Sequence, residues 1–317
     1  MSQPTSEDLP GATGSASASS ATDFANVPRT IGMGQVLDKA AEDEIRKLPR
    51  VVEFRGVGKT YNAGLPNAYQ AVHDVNFYVA HRPNKGEFVC ILGPSGCGKS
   101  TILRLIAGLS PQHPPTTGEV LVLGRSVAGP GADRGMVFQD YTSFDQRTVL
   151  ENITFGLECQ GVSRLQRHDL GRQWIEHVGL TAATDQDKYP HELSGGMLQR
   201  VAIARTLILR PRIILMDEPF GALDPQTRLH MQDLLVSLWR EVQATVFFVT
   251  HSIDEAVFLG DRVYIMGGSP STILQQLTVE PADRPARLMQ KEPRFQETVA
   301  YIRDLIARLE EENRKKK

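Results

Sequence analysis

Gly93-Pro94-Ser95-Gly96-Cys97-Gly98-Lys99-Ser100 sets glycines, a lysine and a hydroxyl at the spacing of a phosphate-binding loop, with Thr101 directly behind. Glycines let backbone N–H groups crowd an anion, and a helix opening at Lys99 adds the positive end of its dipole. The Lys99 ammonium would bridge the β and γ phosphates of ATP, while the Ser100 hydroxyl would hold Mg2+. A second segment, Ile213-Ile214-Leu215-Met216-Asp217-Glu218, is an apolar run ending in two acids. Asp217 would order the metal's water shell there, and Glu218 would face the γ-phosphate as general base for an attacking water. Neither segment works unless rigid elements hold it in place.

Short apolar runs supply those elements. Val51–Phe54, Phe88–Leu92, Val120–Leu123, Met136–Phe138, Ile213–Met216, Val246–Thr250 and Val263–Met266 read as strands. Several lack polar alternation, as a sheet covered on both faces requires. Helical stretches at 99–108, 165–178, 195–209, 225–242 and 252–260 lie between them. Strands alternating with helices predict an α/β domain with a mostly parallel core sheet.

Further motifs follow in order along the chain. Leu193-Ser194-Gly195-Gly196-Met197 precedes a helix, Gln139 follows a strand, Gly221-Ala222-Leu223-Asp224 follows the two acids, and His251 follows Val246–Thr250. With Tyr61 in Lys59-Thr60-Tyr61, this set resembles the ABC ATPases over residues 50–268, and the fold implied is theirs. That fold is a P-loop domain with a small antiparallel β-subdomain and an inserted helical subdomain, here about 140–210.

The resemblance implies a role for each residue. Tyr61 would stack on adenine, with Tyr69 nearby across the insertion Asn62–Ala68. Gly93 to Thr101 would cradle the phosphates, and Gln139 would sense the γ-phosphate or Mg2+. His251 would contact the γ-phosphate. Ser194, Gly195 and Gly196 would form a second anion site that closes on the ATP of another subunit, so the family works as a head-to-tail dimer. Catalysis would then rest on Glu218, His251, Lys99 and Gln139, with Ser100, Gln139 and Asp217 at the metal.

Tyr189-Pro190-His191-Glu192-Leu193 and Met216-Asp217-Glu218-Pro219-Phe220 are similar to the bacterial nitrate/sulfonate/taurine importer branch. That likeness implies two permease subunits, an extracytoplasmic solute-binding protein, and a peripheral place on the cytoplasmic face of the inner membrane. The branch carries a Pro-Trp pair before its Thr-Val; here Asp145-Gln146 precede Thr148-Val149. The segment Asp140–Arg147, with Tyr141 and Phe144, is the expected permease-facing groove. Two alternatives stay open on sequence alone: an ABC ATPase of another system (export or a different solute), or one that acts away from transport.

Composition sets limits. Thirty-five basic residues against 37 acidic ones, in 317, give no reason to expect nucleic-acid binding. No run reaches the roughly 18 apolar residues of a spanning helix. Three cysteines are too few for a disulfide scaffold or zinc site. Cys90 and Cys159 read as buried thiols, and the loop amides and Lys99 would favour the Cys97 thiolate. Residues 1–49 read as an extension, disordered over 1–30 with a short helix at 34–48. Residues 269–317 read as a tail carrying an amphipathic helix at 294–312, with Phe295, Val299, Ile302, Leu305, Ile306 and Leu309 on its apolar face.

Overall fold

The computed structural model describes residues 29–30, 47–81, 86–140, 142–279, 282 and 284–315. The expected helix at 34–48 lies, up to residue 46, outside these, as do residues 1–28 of the expected disordered segment.

Three strands show why the fold is α/β. Phe88–Leu92 (β4), Ile213–Asp217 (β8) and Thr245–Thr250 (β9) are buried at every residue. Their side chains alternate between two apolar clusters. Phe88, Cys90, Leu92, Ile214, Met216, Val246 and Phe248 join one; Val89, Ile91, Ile213, Leu215, Phe247 and Val249 join the other. Both faces are covered, so the strands carry no polar alternation. With Arg134–Val137 (β7) and Arg262–Gly268 (β10) they pair in parallel in the order β10-β4-β9-β8-β7.

The other half of the sheet is antiparallel. Arg50–Tyr61 (β2) and Tyr69–Ala80 (β3) form a long hairpin, and Thr117–Val122 (β5) and Arg125–Ser126 (β6) extend it. The insertion Asn62–Ala68 is the tip of this hairpin. The sheet continues past Gly268, because Ser271–Thr278 (β11) pairs with β10 and touches β3. Arg29–Thr30 (β1) pairs in parallel with Leu277 and Thr278, so these two residues are strand rather than disordered chain.

Helices cover both faces: Lys99–Ala107 (α1), Val149–Cys159 (α2), Arg164–His177 (α3), Ala182–Asp185 (α4), Gly195–Leu207 (α5), Pro225–Val242 (α6), Ile253–Leu259 (α7), Ala286–Met289 (α8) and Pro293–Lys315 (α9). The segment α2–α5 inserts between β7 and β8. Phe295, Val299 and Ile302 of α9 are buried in the same cluster as α7. No described helix is long and apolar enough to cross a membrane.

The parallel register decides where the site lies. Leu92 pairs with Thr250, Asp217 with Val249, and Val137 with Met216. The residues that follow these strands therefore leave the sheet at one edge, where open α/β sheets bind ligands.

Candidate nucleotide-binding site

The loop Gly93–Gly98 leaves β4 and enters α1. A side chain at Gly93 would meet the Met266 carbonyl oxygen at 2.7 Å and Cys97 Sγ at 2.8 Å, so only glycine fits this crossing. Gly98 caps α1 at φ 88°, a left-handed conformation, and offers no side chain to the helix end. The first amides of α1 are therefore not taken by a capping side chain.

Lys99 is 4% exposed and its ammonium donates to the carbonyls of Gly93 at 2.9 Å and Pro94 at 3.0 Å. Its third neighbour is Glu218 Oε1 at 3.4 Å. Behind it, the Ser100 hydroxyl donates to Asp217 Oδ1 at 2.7 Å, and Arg104 stands 3.8 Å from Asp217 Oδ2. Burial pushes the Asp217 carboxyl above its usual range, against the opposing pull of Ser100 and Arg104. A buried carboxylate in this state favours an added positive charge.

Glu218 adopts φ 44°, a left-handed backbone that costs a non-glycine residue of order 1 kcal/mol. Its N–H donates to the Val249 carbonyl at 3.1 Å, which holds the turn against β9. The strained turn sets the carboxylate between an ammonium and an imidazole: Lys99 on one oxygen and His251 Nδ1, at 2.9 Å, on the other. His251 is more than half exposed, so it has room to move. Gln139 stands exposed two residues beyond the end of β7, at the same edge. The Tyr61 hydroxyl shares a hydrogen bond of 3.1 Å with Thr101 Oγ1, and the Lys59 ammonium lies 5.8 Å from the ring centre. Tyr69, its cross-strand partner, is 51% exposed.

Lys99, Ser100, Asp217, Glu218 and His251 thus form one connected cluster, with Tyr61 and Gln139 at its margins. Ser194, Gly195 and Gly196 stand apart. Ser194 caps α5 by accepting the Met197 N–H at 3.4 Å, and both Ser194 and Gly195 are exposed. Among the described residues, no hydrogen bond or ion pair joins them to the cluster.

A family model described as ABC transporter matches residues 72–221. The nitrate import ATP-binding protein NrtD of Synechocystis sp. is 46% identical over 232 residues, covering 71% of this chain and 84% of that protein. The chain belongs to the ABC transporter ATP-binding family. The taurine import ATP-binding protein TauB of Burkholderia pseudomallei is also 46% identical, over 71% of this chain and 87% of its own length. A solved dimeric ATP-binding cassette bound to ADP and phosphate matches with a TM-score of 0.62 and 33% identity, over 72% of this chain and 99% of that one. As an ABC subunit the chain binds ATP and hydrolyses it to power a transporter.

Two thiol expectations need correction in this ABC subunit. Burial raises the Cys97 thiol above its ordinary value and outweighs the nearby Lys99 ammonium, so the thiolate is not favoured. Cys159 is exposed rather than buried, while Cys90 is buried in β4 and pushed well up by that burial. The segment after Gln139 is also more fixed than a solvated loop. Asn152, wholly buried on α2, accepts the Phe144 N–H at 2.8 Å and donates to the carbonyls of Phe144, Arg147 and Thr148. Phe144 packs on Phe155 at 4.6 Å, with Arg147 and Arg205 against the rings. Tyr141 lies outside the described residues. Asn152, Phe155 and Arg205 escaped the sequence reading because their partners are backbone atoms and ring faces, which no local motif records.

Proposed function

We propose that this ABC subunit binds Mg2+-ATP at the edge formed by Gly93–Thr101, Asp217, Glu218 and His251, and drives import of a small anion such as nitrate, a sulfonate or taurine. The observation that carries the site is the single cluster in which Lys99, Glu218 and His251 interlock beside the Ser100–Asp217 pair. The likeness to nitrate and taurine import subunits supports the solute class.

Each residue of the chain then has a task. The amides of the Gly93–Gly98 loop and the α1 dipole hold the phosphates, with Lys99 adding one buried positive charge. Tyr61 offers its ring to the adenine and is fixed through Thr101. Ser100 and Asp217 provide a hydroxyl and a carboxylate, the hard oxygen donors that Mg2+ prefers. No described group of three or more His, Cys, Asp or Glu residues could hold a metal alone, so phosphate and water would complete the shell. The ion would supply Lewis-acid stabilisation of charge on the phosphate oxygens. Glu218 takes the proton of the water that attacks the γ-phosphorus, as the bond to ADP breaks and inorganic phosphate forms. His251 orients the Glu218 carboxylate through their 2.9 Å contact and Gln139 reads the γ-phosphate.

Ser194, Gly195 and Gly196 serve the ATP of a second copy in a head-to-tail dimer; the dimeric cassettes that this chain resembles support that arrangement. Permease subunits would dock on the fixed platform around Phe144, and a solute-binding protein would deliver the anion from outside. The subunit would sit peripherally on the cytoplasmic face of the inner membrane. The test is reconstitution with the cognate permease and binding protein, with ATPase measured against nitrate, taurine and an alkanesulfonate. Several-fold stimulation by one anion supports import; turnover driven only by a solute on the ATP side overturns it.

A further inference from the structure

Ser252 caps α7 and Glu255 occupies its third position, the spacing at which a glutamate normally reaches back to the amide of the capping residue. Here it does not. The Ser252 N–H instead donates to Thr250 Oγ1 at 3.0 Å, and the Thr250 hydroxyl donates to Glu255 Oε2 at 2.6 Å. The residues on both sides of His251 therefore hang on one carboxylate, and that carboxylate is 5% exposed.

Its other oxygen faces a different part of the chain. Glu255 Oε1 lies 3.7 Å from Arg228 Nε, and Arg228 Nη2 donates to the Leu223 carbonyl at 3.0 Å. Leu223 belongs to the turn Gly221–Asp224, whose Gly221, Ala222 and Asp224 are exposed. The 3.7 Å separation is longer than a hydrogen bond, and the buried Arg228 Nε has no hydrogen-bond partner. A buried carboxylate is costly without a close counter-charge. The pair therefore has room to tighten: a shift of roughly 0.8 Å would bring it to the length of a charge-assisted bond.

We propose that Arg228 and Glu255 are positioning residues that relay the placement of the exposed turn Gly221–Asp224 to His251, and through it to Glu218. A body pressing on that turn moves Arg228, changes its hold on Glu255, and re-aims the backbone at 250–252. The relay rests on the reading of His251 as the group that orients Glu218 for hydrolysis.

The test uses the full-length subunit and compares kcat, KM for ATP and thermal stability in Glu255→Gln, Arg228→Gln, Arg228→Lys and the Arg228→Gln/Glu255→Gln pair. A misplacement of about 1 Å caused far from the chemistry can cost about 100-fold, so kcat should fall at least about ten-fold in Glu255→Gln while KM stays within about two-fold. Arg228→Lys should recover most of the rate lost in Arg228→Gln, and the double variant should be no slower than the slower single one. Rate losses that multiply, a KM that rises with the fall in kcat, or loss of rate only in step with melting temperature would each overturn the relay. His251→Ala separates the two ideas. Full turnover in that variant sinks the reading of His251, whereas an inactive His251→Ala beside a fully active Glu255→Gln sinks the relay alone.

Discussion

Two glycine-rich turns in this subunit each open a helix, and they are built to opposite specifications. At α1 the cap is Gly98, which has no side chain to bond the first amides, and the ammonium of Lys99 is buried at the first helical position. At α5 the cap is Ser194, whose hydroxyl already accepts the Met197 amide, and the first turn Gly195-Gly196-Met197-Leu198 carries no charge. An exposed helix dipole contributes about 0.3–1 kcal/mol toward an anion. Millimolar binding already requires about 4 kcal/mol. The first turn carries its own cation; the second gains useful affinity only when another body brings the phosphate and its charges. Under the role proposed for Ser194, the difference explains why that turn would serve the ATP of a second copy.

The sharpest way to break the contrast is Glu218→Gln. ATP should still bind, while hydrolysis slows by roughly 10²–10⁴-fold, the usual worth of a general base. Light scattering should then show an ATP-dependent dimer; a variant that stays monomeric in ATP removes the role given to Ser194. Next in size is Lys99→Ala. Deleting one of the charge-assisted contacts that distinguish α1 should weaken ATP binding by about 100-fold, near the 1.5–3 kcal/mol such a contact contributes. Near-normal affinity in isothermal titration would make the two turns equivalent after all.

Ser194→Ala is smaller. Losing the cap costs about 1 kcal/mol, which should lower the melting temperature by a few degrees. The dimer trapped with Glu218→Gln should weaken about ten-fold, with ATP affinity of the monomer unchanged. A parallel loss of monomer affinity, read by titration, would place Ser194 in its own chain's site. The smallest effect concerns thiols. Because burial raises Cys97, iodoacetamide at pH 8 should label Cys159 well before Cys97, with ATPase intact after the first modification. Equal labelling rates, followed by mass spectrometry, would show the loop to be open.

The parallel core was legible because Phe88–Leu92, Ile213–Met216 and Val246–Val249 are continuous apolar runs, which a sheet covered on both faces demands. The strand Tyr69–Ala80 was not, since Gln70, His73, Asp74 and Asn76 interrupt it and its pairing shifts register in several places. Ser271–Thr278 hid for a similar reason: Gln275 and Gln276 sit in its middle, and its apolar residues are spaced irregularly. The phosphate-loop residues, the strand-end acids and His251 could be picked out because each lies beside a short local pattern. Arg228, Glu255 and Asn152 could not. Their meaning comes from partners that the fold brings close, and nothing in Asp224-Pro225-Gln226-Thr227-Arg228 states that its arginine will meet a glutamate 27 residues on.

The helix α9 lies on α7, with Phe295, Val299 and Ile302 sunk into the cluster that also holds Ala256, Val257, Phe258 and Leu259. Those residues begin five positions after His251 in the chain. The C-terminal helix and the segment past the histidine therefore share one apolar core, while Ile102, Leu103, Leu105 and Ile106 of α1 lie in the other. A load applied to the C-terminal end passes into α7 before it reaches α1. A tether or bulky fusion at that end therefore bears first on the helix behind His251.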